Sequence, residues 1–232
     1  MQTGRHGYVR LLALAAALFS TPSYAVEAQN NPPVDQLKPN IVILLVDDLG
    51  WGDVGYHDPQ VATPNIDALA ARGVELDRFY VNPTCSPTRA SLLTGQFATT
   101  HGVNGPIQWH STEGLPLQWQ TLPEYLKSAG YQTHLVGKWH LGNANTAYWP
   151  QQRGFDSFYG HLNGGIGYFD RVFSGGLDWQ MHGVTLREEG YTTQLIKAAA
   201  IELIEQRSAE DDPLFLLVSF NAIHTPVSYT HL

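Results

Sequence analysis

The feature that most constrains the fold is an apolar run, Asn40 to Val46, that ends directly at two aspartates, Asp47 and Asp48. Its length and its β-branched residues predict a strand of a parallel sheet that is buried on both faces. Such a sheet needs helical layers on both sides, because neither face can be left to solvent. We therefore expect an α/β domain whose first strand carries a pair of carboxylates at its carboxyl end.

The rest of the chain alternates between helical and extended patterns. Capping residues, prolines at first helical positions and helical apolar spacing predict helices at Thr63 to Ala71, Thr121 to Gly130 and Thr193 to Gln206. Further strands are predicted at Gly73 to Val81, Gln132 to Val136 and Pro213 to Phe220. Gly142 to Gly190, rich in glycine, tryptophan and tyrosine, predicts loops and short pieces at the rim of a pocket. The alternation predicts a doubly wound α/β fold with a mostly parallel central sheet between helical layers.

The first residues have the pattern of an export signal. Arg5 and Arg10 precede the apolar run Leu11 to Phe19, and Ser23-Tyr24-Ala25 supplies small residues at a cleavage position. The apolar run is too short to anchor the chain across a bilayer. We expect residues 1–25 to be a signal peptide, residues 26–38 to be a polar linker, and the protein to be periplasmic or secreted.

The charge balance limits the partners. The formal net charge is −8, and it becomes −10 without residues 1–25, because two arginines and no acids leave. An acidic exported protein binds nucleic acids and anionic membranes poorly, so we expect neither as a partner. An anionic substrate would need a local cluster of cationic side chains.

Polar residues collect where the predicted strands end. Asp47 and Asp48 would repel each other unless a cation neutralises them, so a hard divalent metal is expected there, the alternative being a solvated turn. Lys138 and His140 follow another predicted strand, and in an extended segment their side chains would point the same way. His224 follows the last strand. Ligands bind beyond the carboxyl ends of parallel strands, so these groups should converge.

The single cysteine lies in Cys85-Ser86-Pro87-Thr88-Arg89. In an oxidising compartment it has no disulfide partner, so it is either a small buried hydrophobe or a reactive group. It lies just before a predicted helix, Pro87 to Thr94, whose N-terminal amides and dipole favour an anion. Arg89 would lie near the same point.

The pattern Cys85-x-Pro87-x-Arg89, followed by that helix, resembles the signature of type I sulfatases. Three further segments resemble the same family, namely Thr63-Pro64-Asn65-Ile66-Asp67, Gly130-Tyr131-Gln132-Thr133 and Arg153-Gly154-Phe155-Asp156. The resemblance extends from about Pro39 to Pro226 and within the family is closest to arylsulfatase B-like enzymes. It implies the alkaline-phosphatase-like sulfatase fold and a sulfuric ester hydrolase acting on aryl sulfates or sulfated sugars.

The resemblance also implies a nucleophile and a metal. A formylglycine-generating maturation enzyme would convert Cys85 to formylglycine, whose aldehyde hydrate is the nucleophile. Asp47 and Asp48 would bind Ca²⁺ together with this modified Cys85. The other partner would be the substrate, a sulfated small molecule or glycan.

The cationic residues receive roles by the same resemblance. Arg89 would hold the aldehyde hydrate, Lys138 and His224 would bind the sulfate, and His140 would contact the hydrate and help its collapse. Two alternatives remain open: a phosphate mono- or diester hydrolase of the same superfamily, and a non-catalytic relative that binds sulfated glycans with Cys85 unmodified.

The chain departs from the family at its end. Further metal ligands, an acid followed by Asn or His, and another lysine are implied by the resemblance and do not occur here, although Ca²⁺ takes about six to eight oxygens. We therefore expect residues 39–226 to be the N-terminal part of a sulfatase catalytic domain, truncated before completion and inactive by itself. Residues 227–232 match the translation of a transposase-end adapter used in sequencing libraries, and we expect them to be an artefact.

Overall fold

The computed structural model of the protein describes residues 38–225. The predicted signal peptide, the linker up to residue 37 and the segment 226–232 lie outside the described residues, so these three expectations stay predictions. Within residues 38–225, no helix combines the length and the apolar character that crossing a membrane requires.

A mixed sheet organises the described residues. Its strands are β1 (Ile41–Leu45), β2 (Gln132–Lys138), β3 (Ser157–His161), β6 (Gln180–Met181), β7 (Val184–Thr185) and β8 (Leu214–Ser219). The spatial order is β1-β8-β2-β3-β6-β7. In this order, β1, β8, β2 and β3 are mutually parallel. β6 pairs antiparallel with β3, and β7 pairs antiparallel with β6. A separate hairpin pairs β4 (Val172–Phe173) with β5 (Gly176–Leu177).

Helices cover both faces of this sheet. They are α1 (Pro64–Ala70), α2 (Cys85–Thr94), α3 (Ala98–His101), α4 (Leu122–Ser128) and α5 (Thr192–Glu205). On one face, Leu93 of α2 belongs to a buried cluster with Leu135 and Phe215 of the strands. On the other face, Ile196 of α5 packs in a second cluster with Val136. The prediction of a mostly parallel sheet between helical layers is therefore confirmed.

The first strand forms where the apolar run predicted it, but its expected burial on both faces is wrong for the described residues. Among them, β1 lies at an edge of the sheet and pairs with β8 alone. Ile43 packs against the core, whereas Val42 and Leu44 on the other face are 45% and 60% exposed. An apolar run shows that a strand avoids water, but it does not show how many of its sides the neighbouring elements cover.

Two other segments differ from the predictions. Gly73 to Val81 is irregular rather than a strand, and its side chains Val74 and Tyr80 are 88% and 87% exposed. Conversely, β3 lies inside the segment predicted as loops, with all its residues except Ser157 buried. The sequence signal of β3 is weak because the strand is short and contains a glycine, which has low strand propensity.

The glycines in β2 and β3 allow the strands to approach closely at the end where the polar residues lie. Gly137 has a φ of +110°, and a Cβ atom there would lie 1.9 Å from the carbonyl oxygen of Ser219. A Cβ atom at Gly160 would lie 2.1 Å from the carbonyl oxygen of Gly137. Only glycine fits these positions, which bring the ends of β2, β3 and β8 together.

We therefore expect Gly137→Ala to lower the free energy of unfolding by at least about 3 kcal/mol, because the new methyl group meets backbone rather than a movable side chain. Gly105→Ala is the matched control, since a Cβ atom at Gly105 meets no atom within 4 Å. Urea unfolding of the two variants measures the difference. Equal stability of both would contradict the close approach of β2 and β8.

Candidate active site

Three parallel strands, β1, β8 and β2, are adjacent and end at the same edge of the sheet. The pairing of β1 with the β8 segment continues past the strand ends. The backbone N–H of Asp47 donates to Ala222 at 2.8 Å, and that of Ile223 donates to the carbonyl of Asp47 at 2.7 Å. Backbone hydrogen bonds therefore hold Asp47 against the segment that follows β8.

Asp47 is the centre of a buried charge cluster. The ammonium of Lys138 donates to Oδ2 of Asp47, and Nη2 of Arg89 lies 3.6 Å from Oδ1. Asp47, Arg89 and Lys138 are only 5%, 4% and 0% exposed. Two cations face one carboxylate, so these three side chains carry a net positive charge. Buried charge needs a partner, which makes this cluster a suitable site for an anion.

Arg89 connects α2 to the strand ends. Its Nη1 donates to the carbonyl of Lys138 at 3.0 Å and to Oγ of Ser219 at 2.6 Å. Its Nε, also buried, has no hydrogen-bond partner among the described residues. Burial lowers the pKa of Arg89, opposed by Asp47 and Cys85, but a guanidinium stays charged in proteins. Burial and the charge of Arg89 lower the pKa of Lys138, and Asp47 opposes them.

Cys85 is the first residue of α2, with Thr84 as N-cap, so the predicted helix start at Pro87 is two residues late. The cysteine and its arginine thus come from a helix rather than from a strand end. Cys85 is partly buried and lines a cavity of about 280 Å³ whose wall also contains Asp47 and Asp48. The N–H groups of the first helical turn, together with the helix dipole, favour negative charge at this position.

Asp48 and His224 form the exposed side of the site. The side chain of Asp48 is 63% exposed, and its Oδ2 lies 3.9 Å from Nε2 of His224. The hydroxyl of Tyr168 donates to the carbonyl of His224 at 2.8 Å, which anchors this segment. His224 therefore reaches the same edge as Asp47 but contacts the outer carboxylate.

The backbone at His140 is not extended as predicted, because β2 ends at Lys138. His140 has a φ of +59°. Its Nε2 lies 3.0 Å from the carbonyl of Ile107, which identifies Nε2 as the protonated nitrogen, and its buried Nδ1 has no partner among the described residues. Burial, and next the charges of Lys138 and Arg89, lower the pKa of His140 to about 3. His140 is therefore neutral with a free lone pair.

The lowered pKa of His140 predicts an acid sensitivity. The folded-state pKa of about 3 lies below the ordinary 6.5, so between these values the unfolded chain binds a proton that the folded chain excludes. As the pH drops from 6.5 towards 3, protonation of His140 in the unfolded chain should lower the free energy of unfolding by up to about 1.4 kcal/mol per pH unit. His140→Gln should remove this part of the pH dependence. Urea unfolding at several pH values measures the slope.

The exposed histidine His110 provides the control. His110→Gln should keep the wild-type pH dependence. A wild-type slope in the His140→Gln variant would mean that His140 is not held neutral.

The carboxylates of Asp47 and Asp48 are the type of ligand that a hard divalent cation binds. Asp47 and Asp48 supply oxygen donors that line one cavity with Cys85, and oxygen is the donor that Ca²⁺ prefers. Within residues 38–225, no group of three or more His, Cys, Asp or Glu side chains is arranged to hold a metal ion. The residues present therefore fit a calcium ion in kind and would contribute part of its ligand shell.

Two serines that were not predicted from the sequence shape the site. Ser219 ends β8, is fully buried and accepts the hydrogen bond from Arg89. Ser86 donates to the carbonyl of His140 at 2.9 Å and accepts from the N–H of Ile107 at 3.0 Å. A polar residue at the end of an apolar strand is a signal that could have indicated Ser219. Nothing in the sequence indicates the partners of Ser86, which lie far along the chain.

The sulfatase family model matches residues 39–231. The N-acetylgalactosamine-6-sulfatase of Rattus norvegicus is 40% identical over 211 residues, which cover 82% of this chain and 40% of that protein. The crystal structure of Ps i-CgsB in complex with k-i-k-neocarrahexaose is similar with a TM-score of 0.77 and 31% identity, covering 82% of this chain and 46% of that one.

A second solved structure is that of BT4656 in complex with its substrate D-glucosamine-2-N,6-O-disulfate. Its TM-score is 0.64 at 29% identity, covering 81% of this chain and 35% of that one. The chain thus spans about two fifths of the length of the rat relative and less than half of either structure.

Proposed function

The chain belongs to the sulfatase family, and on that premise we propose that the protein hydrolyses sulfate esters of sugars or of aryl alcohols. The observation that carries this proposal is the buried cluster of Asp47, Arg89 and Lys138. It combines net positive charge with a position next to Cys85, at the N-terminus of α2. This arrangement suits the binding of an anionic group beside a reactive side chain.

The substrate class is proposed from the relatives. One relative is named as an N-acetylgalactosamine-6-sulfatase, and BT4656 was solved with a sulfated glucosamine as its substrate. We propose a sulfated sugar or glycan, with aryl sulfates as a second class. Residues 39–226 would be the N-terminal part of the catalytic domain of a longer, exported protein.

Each side chain of the site has a separate role in the proposed reaction. Lys138 binds the sulfate group with the N–H donors that Asp47 leaves free, and His224 binds it from the outer side. Arg89, whose Nε has no hydrogen-bond partner within residues 38–225, holds the nucleophilic group at position 85. His140 offers the lone pair of Nδ1 as proton acceptor, since Nε2 is occupied by the carbonyl of Ile107. Fixed cations in a buried site stabilise charge on the transferring group.

The proposed active site also needs two groups that the twenty standard amino acids do not supply, formylglycine and a calcium ion. Formylglycine, made from Cys85 by a maturation enzyme, would supply the hydroxyl of an aldehyde hydrate as nucleophile. Ca²⁺ would be held by Asp47, Asp48 and the modified Cys85, and would supply Lewis acidity. The chain's own contribution is to keep Asp47 buried among cations and Asp48 open to the cavity.

Relative rates on matched esters test this function. The full-length protein, made in a host that contains the maturation enzyme, should cleave an aryl sulfate faster than the corresponding aryl phosphate. Faster cleavage of the phosphate would support the phosphoesterase alternative. Binding of a sulfated sugar without cleavage of any ester, with an intact thiol at Cys85, would support the non-catalytic alternative.

A further inference from the structure

A buried histidine next to Lys138 has no role in the proposed function. His161 is the last residue of β3 and lies in parallel register with Lys138, the last residue of β2. Its exposed fraction is 0%. In-register residues of neighbouring parallel strands project from the same face of a sheet, so the two side chains are neighbours.

The imidazole of His161 is polar but lacks ordinary partners. Neither Nδ1 nor Nε2 makes a hydrogen bond of normal geometry with the described residues. Its ring is stacked on Trp179, with centroids 6.4 Å apart and planes at 19°. An unsatisfied buried polar group costs about 1–3 kcal/mol, so a phenylalanine would fill this place more favourably. The presence of a histidine therefore requires an explanation beyond packing.

The charge state of His161 is determined by its surroundings. Burial lowers its pKa well below the ordinary value, and the charges of Lys138 and Arg89 lower it further. The backbone of Asn163 opposes these effects but is outweighed. A neutral imidazole has one N–H donor and one nitrogen with a free lone pair, so His161 offers an acceptor beside the cations.

Lys138 has more hydrogen-bond donors than it has partners among the described residues. An ammonium has three N–H donors, and among the described residues Lys138 has one hydrogen-bond partner, Asp47. Lys138 is fully buried, so solvent cannot satisfy the remaining donors. Lys138 needs one N–H for the sulfate. A further N–H of Lys138 therefore remains beside the imidazole of His161, whose unprotonated nitrogen has no donor.

We propose that His161 is a positioning residue for Lys138: its lone pair accepts a hydrogen bond from the ammonium through one buried water molecule. A water molecule satisfies two such groups when they are buried and too far apart to bond directly. With one N–H on Asp47 and one on this water, the direction of the third N–H is fixed, and it points at the anion. This inference rests on the proposed role of Lys138 in sulfate binding.

Competition by inorganic sulfate tests the inference in the full-length, matured protein. His161→Phe keeps the ring and its stacking but removes both nitrogens. We expect the inhibition constant of sulfate and the KM of an aryl sulfate to rise roughly tenfold or more, with a smaller change in kcat, as for loss of one hydrogen bond to a charged group. His161→Asn and His161→Gln each place an amide oxygen near one ring nitrogen, and one of them should recover most of the affinity.

A double-mutant cycle separates positioning from packing. In a Lys138→Met background, His161→Phe should cause no further loss of sulfate affinity, whereas additive losses would overturn the inference. His101→Phe is the matched control, because His101 is also buried but hydrogen-bonds to Ser91 and Val103. It should lower stability without changing sulfate affinity.

The outcomes separate this inference from the proposed function. A wild-type protein that cleaves no sulfate ester and does not bind inorganic sulfate would overturn both. A wild type that sulfate inhibits, together with an unaffected His161→Phe variant, would overturn the inference alone. If His161→Phe does not fold, the comparison of His161→Asn with His161→Gln decides, because only one amide oxygen can replace the accepting nitrogen, and equal sulfate affinities would overturn the inference.

Discussion

Replacing Cys85 by alanine in the full-length, matured protein should lower kcat on the order of a millionfold, the loss typical of removing a nucleophile. The fold should persist, because Cys85 is only partly buried and lies at the first position of α2. The arginine and lysine remain in place, so binding of inorganic sulfate should be largely retained. Steady-state kinetics and sulfate competition measure these two effects separately.

The same protein without maturation is the matched control for Cys85. Made in a host that lacks the maturation enzyme, it has an identical sequence and an alkylatable thiol, and it should be as inactive as Cys85→Ala. Peptide mass analysis across Cys85 should show an aldehyde only in the active preparation. Sulfatase activity in protein whose thiol is intact would overturn the proposed nucleophile.

Asp47→Asn should abolish turnover and also destabilise the fold by about 3 kcal/mol. The substitution removes the negative charge between Lys138 and Arg89, so two buried cations then face each other without compensation. It also removes a hard anionic ligand from the proposed calcium site. Activity assays, calcium binding and urea unfolding together measure the three consequences.

Asp48→Asn is the control that separates metal binding from stability. Its side chain is 63% exposed and lies 3.9 Å from a histidine rather than between buried cations. We expect Asp48→Asn to lose turnover and to bind calcium more weakly while its free energy of unfolding stays close to that of the wild type. Near-normal activity in either aspartate variant would mean that the metal site has been assigned to the wrong residues.

Local sequence signals determined much of the architecture. The helix after Thr121 begins as predicted because Glu124 accepts a hydrogen bond from the N–H of Thr121 at 2.6 Å. The strand β8 and helix α5 also form where apolar spacing predicted them. Capping and periodicity act between residues a few positions apart, so they can be seen in the sequence.

The positions of the candidate site residues were predicted in part. Asp47 and His224 follow strands, as expected, whereas Lys138 is the last residue of β2. The parallel strands end at one edge of the sheet. The extended backbone predicted at His140 was wrong, because the backbone leaves the extended conformation after Lys138. A positive φ at a non-glycine residue depends on the surrounding packing, which a two-residue spacing does not reveal.

By itself, the sequence determined which segments are helices and strands, which polar residues follow them and which family the motifs resemble. Only the tertiary structure decided that β8, the last strand, lies between β1 and β2, and that Asp47 is buried by Lys138 and Arg89 while Asp48 stays exposed. It alone placed His161 beside Lys138. The physical reason is that these contacts join residues far apart in the chain, and their energies depend on burial and close approach, which exist only once the sheet has assembled.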